Sequence, residues 1–259
     1  MNSSHHFYLI QLQYLGFRYS GWQKQPDVLT VERMVSRTLS YVLEHKNFKL
    51  LASGRTDAKV SANMAYVELF LDGKPLTIDH FLVKFNENLP PDIRVVEIRE
   101  VDAEFNIINA PLGKEYLYLF SCGSKAHPFA APFMTSILGD LDIAIMRQAA
   151  KLFEGTHDFR SYAYKPNSGT KTVGMVSKSE IVDNTFYTAN FFPEKSHVFR
   201  VRGKGFKRHQ IRLMMGMLFD IGQGKADLDF LKQTLEPGNS IKLEYIAPAS
   251  GLILNEVIL

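Results

Sequence analysis

A carboxylate and a cation lie close together in a short segment between two apolar stretches of the chain. Residues 53–58 contain Gly54, Arg55 and Asp57, a composition typical of a functional loop carried on a rigid sheet. Glycine and aspartate are also ordinary turn residues, so a purely structural turn is the alternative. An aspartate that a nearby arginine holds ionised could act as a nucleophile at neutral pH.

Positive charge is concentrated near the C-terminal end. The formal net charge is only +3, but residues 195–212 contain no Asp or Glu. This segment indicates a surface for a polyanion, with a solvated face as the alternative. Its basic residues are Lys195, Arg200, Arg202, Lys204, Lys207, Arg208 and Arg212.

The basic segment is predicted to form a strand at 197–204 and a helix at 208–221. Strand alternation places Arg200, Arg202 and Lys204 on one face together with Val198. Arg208 and Arg212 lie one helical turn apart. One face of the strand is therefore expected to be cationic.

Residues 14–25 combine aromatic, cationic and amide side chains directly after the first predicted strand. Such mixtures stack on nucleotides and form hydrogen bonds with them. The alternative is that the aromatic rings fold back onto the core, above all Trp22. The side chains in question are Tyr14, Phe17, Arg18, Tyr19, Trp22, Gln23, Lys24 and Gln25.

Composition and missing motifs exclude several classes of protein. The 259 residues are 46% hydrophobic and 22% charged, which is typical of one large or two modest globular domains. The single Cys122 forbids an internal disulfide and, with no signal-peptide pattern, predicts a cytoplasmic protein. No apolar run approaches about 18 residues, so no membrane span is expected. The scattered histidines and the absence of nucleotide-binding, zinc-protease and serine-hydrolase motifs predict no metal and no cofactor.

The periodicity predicts an α+β fold with two similar halves, residues 1–103 and 104–259. The first half has the order βαββαβ, which is a split-βαβ (ferredoxin/RRM-like) arrangement, and the second repeats it less cleanly. We expect the two antiparallel sheets to join around a central basic cleft. The predicted strands are 7–14, 48–52, 65–71, 93–101, 114–121, 175–183, 185–192, 197–204 and 252–258, and the predicted helices are one capped by Thr30 and those at 77–86, 141–153 and 208–221.

Four stretches, in order along the chain, resemble the tRNA pseudouridine synthase A (TruA) family. With weaker echoes at 86–93, 155–159 and 247–254, the resemblance spans residues 14–254, and the combination is highly specific. The four stretches are YLGFRYSGWQKQ at 14–25, GRTDAKVSA at 54–62, KEYLY at 114–118 and FKRHQIR at 206–212.

The resemblance implies an isomerase that converts uridine to pseudouridine in the anticodon stem-loop of tRNA, without a cofactor and as a homodimer. Asp57 matches the nucleophile, and attack on the sugar and attack on the base both fit it. Tyr116 matches the tyrosine that stacks on the target base, and Arg212 the arginine that pairs with the aspartate. Arg55 matches the arginine that helps to displace the target nucleotide. The further RNA contacts expected from the 14–25 segment and from the basic 195–212 segment are Arg18, Tyr19, Lys24, Arg200, Arg202, Lys204 and Arg208.

Three features, at four positions, depart from the family pattern. Lys59 stands where the family usually has glycine, so either a lysine adopts a positive φ or the loop runs differently. Ser61 replaces a histidine that is commoner in bacterial members, and Leu112 and Gly113 precede Lys114 without an extra basic residue. These departures bear on the choice of uridine and leave the proposed catalytic residues in place.

Two rival functions fit parts of the sequence. One is a catalytically silent tRNA-binding protein on the same scaffold, which the combination of Arg55, Asp57 and Tyr116 disfavours. The other is a hydrolase that uses an aspartate nucleophile on a small substrate. The basic strand and the lack of a second well-placed carboxylate as general acid disfavour the hydrolase.

Overall fold

The first hundred residues fold in the predicted order βαββαβ in the computed structural model, which describes residues 5–239 and 241–259. Thr30 caps the first helix as expected, because its side-chain oxygen accepts a hydrogen bond from the backbone N–H of Arg33. The elements are β1 His5–Tyr14, α1 Val31–Leu43, β2 Phe48–Ala52, β3 Ser61–Asp72, α2 Ile78–Asn88 and β4 Ile93–Glu100.

Strand β3 is longer than the sequence predicted, and this shortens the loop that carries Asp57. The strand begins at Ser61 and is paired with β1 from Ala62 onward. The sequence began this strand only at residue 65, because Asn63 is polar. In the structure the Asn63 side-chain oxygen accepts a hydrogen bond from the Gln13 side chain of β1 at 3.1 Å, so a polar residue fits within the strand. The loop therefore consists of residues 53–60 and connects two strands that are themselves paired.

The second part of the chain is also a mixture of strands and helices, which confirms the α+β class. Its main sheet has the antiparallel strand order β5-β9-β8-β7, and β6 runs parallel to β5. The elements are β5 Gly113–Gly123, β6 Thr135–Leu138, α3 Ile143–Lys151, β7 Gly155–Asp158, β8 Val173–Asp183, β9 His197–Gly203, α4 Gln210–Gly222, α5 Leu228–Leu235 and β10 Leu252–Ile258.

The chain divides into two compact units, one formed by Met1–Leu112 with Leu254–Leu259 and the other by Gly113–Ile253. The sequence placed the division after residue 103. Residues 101–112 contain neither strand nor helix, so the pattern of elements alone does not say where within this segment the division falls.

One predicted strand, at 185–192, is wrong. The Asn184 side chain donates to the Tyr187 carbonyl at 2.8 Å and accepts from the Tyr187 N–H, which turns the chain away from the sheet. Phe191 and Phe192 instead pack on a buried cluster that includes Leu117. The aromatic residues that suggested a strand therefore contribute to the hydrophobic core from a loop. The sequence also missed α5 and the short strands β6 and β7.

Among the described residues, no helix is both long and apolar enough to cross a membrane.

Candidate active site

The loop that carries Asp57 packs directly against the loop that follows β1. A Cβ added at Gly16 would overlap the backbone carbonyl of Val60, and one added at Gly21, where φ is +92°, would lie 2.7 Å from the carbonyl oxygen of Thr56. Only glycine permits so close an approach of two backbones. The first two stretches of the family pattern therefore form one structural element.

Hydrogen bonds fix the backbone on both sides of Asp57. The Trp22 N–H donates to the Thr56 carbonyl at 3.1 Å, and the Lys59 N–H donates to the Tyr19 carbonyl at 3.0 Å. The hydroxyls of Tyr14 and Thr56 lie 2.9 Å apart in the core. Asp57 is half-buried and Arg55 is exposed, so a rigid loop presents both side chains.

The aromatic residues of the 14–25 segment mostly face the core. Trp22 is 4% exposed and packs against Tyr14 with ring centroids 6.1 Å apart, which confirms that its ring folds back. Tyr19 is only 2% exposed, so its ring presents no free face for a base in this conformation, and its contact with RNA stays a prediction.

Asp92 holds Tyr19 and Arg18 and was missed in the sequence. Its carboxylate accepts from the Tyr19 hydroxyl at 2.7 Å and from the Arg18 guanidinium at 2.9 Å. Partial burial raises the pKa of Asp92, but the hydrogen bonds from Arg18 and Tyr19 outweigh this and lower the pKa below its usual value. The residue lies in the weaker family echo at 86–93, which is the signal that could have found it.

Glu32, in the first turn of α1, accepts hydrogen bonds from two residues of the 14–25 segment. Its Oε2 accepts from the Gln23 side-chain amide at 3.0 Å and from the Lys24 N–H at 2.7 Å. The Gln23 amide is therefore engaged within the protein, whereas Lys24 is exposed.

Lys59 adopts the left-handed conformation, with φ +66°. This decides between the two alternatives for the departure from glycine: the lysine is accommodated at positive φ. Its ammonium lies 5.8 Å from the centre of the Phe17 ring, a contact that contributes about 0.5–1 kcal/mol at an exposed site.

We expect Lys59→Gly to change the free energy of unfolding by less than about 1 kcal/mol, because relief of the left-handed strain offsets the lost contact with Phe17. The rate of pseudouridine formation should stay within about tenfold of wild type, since the Tyr19 hydrogen bond uses only the Lys59 backbone. Urea unfolding and initial rates measure the two quantities. An inactive wild type that gains activity on this change would identify a binding protein instead of an enzyme.

In the second unit, Tyr116 lies on β5 opposite Val201 of β9. Its ring meets the Phe206 ring edge to face, with centroids 5.4 Å apart. Arg212, in the first turn of α4, donates through Nε to the Ala247 carbonyl at 2.8 Å, and the Ala247 N–H donates back to the Arg212 carbonyl at 3.1 Å. The 206–212 stretch thus contacts both the 114–118 stretch and the 247–254 echo.

Arg200 and Arg202 lie on the face of the sheet opposite Tyr116. Tyr116 is next to Glu115 on β5, and consecutive strand residues face opposite sides. Glu115 is 2% exposed, and its Oε2 binds Arg200 at 2.8 Å and Arg202 at 3.1 Å. The predicted alternation is confirmed by the strand pairing. The charge of both arginines is partly balanced, because β5 supplies a carboxylate that the 195–212 segment itself lacks, and their contact with RNA stays a prediction.

Lys204 and Arg208 differ from these two arginines because both are exposed. We expect Arg200→Ala to lower the free energy of unfolding by about 1.5–3 kcal/mol through loss of charged hydrogen bonds to Glu115. Lys204→Ala should leave stability within about 0.5 kcal/mol but lower the salt dependence of tRNA binding by about one phosphate contact. Urea unfolding and binding at several salt concentrations test both, and a reduced salt slope in Arg200→Ala would support that residue as an RNA contact.

Within the described part of the chain, no three His, Cys, Asp or Glu side chains are grouped so that they could hold a metal ion.

Comparison with known proteins places these stretches in one family. Residues 149–258 match the family described as tRNA pseudouridine synthase. The tRNA pseudouridine synthase A of Exiguobacterium sibiricum is 33% identical over 95% of this chain and 94% of its own length. The enzyme of the same name from Aquifex aeolicus is 31% identical over 97% and 99%, and tRNA pseudouridine synthase A 1 of Protochlamydia amoebophila is 29% identical over 97% and 96%. Since the similarity extends over nearly the full length of both partners, the chain belongs to the tRNA pseudouridine synthase A family.

Proposed function

We propose that this chain, as a tRNA pseudouridine synthase, isomerises uridine in the anticodon stem-loop of tRNA with the Asp57 carboxylate as nucleophile. One observation carries the proposal. The backbone on both sides of Asp57 is fixed by Trp22 and Tyr19, so the carboxylate is presented from a loop that does not need to be ordered during the reaction.

The reaction balances without any co-reactant. The bond between N1 of the base and C1′ of the sugar breaks, the base rotates, and a bond forms between C5 and C1′. The proton on C5 is released and N1 gains one, so substrate and product are isomers. Asp57 forms a transient bond either to C1′ of the sugar, which occupies that carbon until C5 attacks it, or to the base, which holds the detached base. This bond breaks again as the product forms.

The other roles follow from the family resemblance and from the contacts of each side chain. Tyr116 stacks on the target base, and its ring is already supported by the edge-to-face contact with Phe206. Arg212 balances the charge of the nucleophile. Arg55, which is exposed, helps to displace the target nucleotide from its stack, a step that costs a few kcal/mol.

The RNA-contacting set that these contacts support is smaller than the sequence suggested. Lys24, Lys204 and Arg208 are exposed, and the Arg18 side chain is 51% exposed although it pairs with Asp92. We further propose that the protein acts in the cytoplasm, where its tRNA substrate is found, and as a homodimer. Light scattering on the purified protein tests the homodimer.

Release of tritium from tRNA labelled at C5 of uridine tests the reaction directly, because only a step that removes the C5 proton releases the label. A silent tRNA-binding protein would bind tRNA and release none. A hydrolase would free a base or shorten its substrate without forming pseudouridine. Mapping pseudouridine along the product then tests the anticodon stem-loop, and modification confined to another arm would contradict that assignment.

A further inference from the structure

A second segment without acidic residues lies beside the basic segment in the second unit. Residues 159–172 contain Arg160, Lys165 and Lys171 and no Asp or Glu. The acid just before this segment, Asp158, is 9% exposed, and its carboxylate accepts from the Arg160 N–H at 3.0 Å. The positive charge of the segment is therefore little offset at the surface by this neighbour.

Tyr164 joins the two segments. Its N–H donates to the Arg208 carbonyl at 3.1 Å. The Arg208 guanidinium lies 4.9 Å from the centre of the Tyr164 ring, and the Lys165 ammonium lies 5.3 Å from the same point. The His209 ring is 4.5 Å away. One half-buried ring thus lies within cation–π distance of two cations.

Lys207 and Lys171 extend this charge along the beginning of β8. The Lys207 ammonium lies 3.9 Å from where a Cβ would stand at Gly174, and the Phe159 ring is 3.6 Å from the same point. Partial burial lowers the pKa of Lys207. The Phe159 N–H donates to the Thr172 carbonyl at 3.1 Å, which fixes the two ends of the segment that contains exposed Lys171.

We propose that Tyr164, Lys165, Lys171, Lys207 and Arg208 form a contact surface for the phosphate backbone of tRNA away from the reacting nucleotide. We call these five residues the outer patch. The proposal rests on the proposed function only in taking tRNA as the substrate. Fixed cations around an aromatic ring, with no acid in either segment, fit a chain of regularly spaced phosphates, whose binding rests on many such contacts.

Single changes in the outer patch should weaken tRNA binding in a salt-dependent way. Lys165→Ala and Lys171→Ala should each raise the Kd for tRNA about three- to tenfold and lower the salt slope by about one contact. The loss should appear in KM more than in kcat and be similar for different tRNAs. Lys232→Ala is the matched control, because Lys232 is an exposed lysine already paired with Asp229 at 2.8 Å. It should leave the Kd and the salt slope unchanged.

Tyr164 allows a sharper test of the geometry. Tyr164→Phe keeps the ring and should retain affinity, whereas Tyr164→Leu removes the π-face and should weaken binding about as much as Arg208→Ala. If the ring acts by holding Arg208 and Lys165, Tyr164→Leu added to the double variant Arg208→Ala with Lys165→Ala should weaken binding no further than those two changes alone. Additive losses would overturn the role of the ring, and thermal melting of each variant checks that it is folded.

Failure of the outer patch can be told apart from failure of the proposed reaction. Binding is measured on Asp57→Asn protein as well as on wild type, so it does not depend on turnover. Unchanged Kd and salt slope in the lysine variants, with normal tritium release, would overturn the outer patch alone. Lost affinity in these variants without tritium release by wild type would support the patch and overturn the reaction. The proposal would be overturned if Lys232→Ala lost as much tRNA affinity as the outer-patch variants. It would also be overturned if Lys165→Ala and Lys171→Ala lost binding to phosphatidylserine vesicles but not to tRNA.

Discussion

Asp57→Asn is expected to lower the turnover of uridine to less than about 1% of wild type, because the amide keeps the size of the carboxylate but is not a nucleophile. The affinity for tRNA should change less than about threefold, since binding is spread over many phosphate contacts. The loop should keep its conformation, as the hydrogen bonds from Trp22 and Lys59 use only backbone atoms. Tritium release and filter binding measure the two quantities.

Asp140→Asn provides the matched control, because Asp140 is an exposed aspartate between β6 and α3. It should retain full turnover and affinity. Residual activity of Asp57→Asn above about 1% would remove Asp57 from the nucleophile role. A large loss of affinity together with activity would instead mean that the carboxylate is needed to shape the RNA-binding surface.

The sequence predicted the elements that depend on local rules. The order βαββαβ and the start of α1 after Thr30 both depend on residues within a few positions of one another, through side-chain alternation and helix capping. The end strand β10 was predicted with its observed bounds for the same reason. The βαββαβ order positions the Asp57 loop, and the strand predicted at 114–121 corresponds to β5, which carries Tyr116. The scaffold of each residue could therefore largely be predicted.

Two side chains of the candidate site have partners that lie far apart from them in the chain. Tyr19 sits in a segment whose composition resembles an RNA contact, but its hydroxyl binds Asp92, 73 residues away. Arg200 belongs to a segment without acids, yet Glu115, 85 residues earlier, lies beside it on the neighbouring strand. Local patterns give the face on which a side chain lies, and only strand pairing gives its neighbour.

The backbone conformation explains how the chain accommodates Lys59 at a position where the family usually has glycine. A positive φ costs a non-glycine residue about 1–2 kcal/mol, and the sequence could not say whether the chain accepts this cost. The Lys59 N–H donates to the Tyr19 carbonyl, so the positive φ of Lys59 is needed for the contact between the two loops. A change in that conformation would also disturb the loop that presents Asp57.

Glu115→Ala is expected to lower the free energy of unfolding by about 3–5 kcal/mol, because the charged hydrogen bonds of one buried carboxylate to two arginines are lost together. Glu115 is 2% exposed, while the side chains of Arg200 and Arg202 are 25% and 36% exposed. Both guanidiniums remain partly accessible to water, so the larger part of the cost arises from the hydrogen bonds lost beside β5. Urea unfolding with an unchanged m-value measures this cost.

Asp183→Ala separates the effect of burial from the effect of charge. Asp183 also binds two basic groups, Arg147 at 2.8 Å and His197 at 3.1 Å, but its side chain is 74% exposed. Its removal should cost less than about 1 kcal/mol, because water replaces the lost partner. Glu115→Gln should fall between the two, since the amide oxygen still accepts one hydrogen bond. If Glu115→Ala cost no more than Asp183→Ala, Arg200 and Arg202 would not depend on Glu115, and this would favour their prediction as RNA contacts.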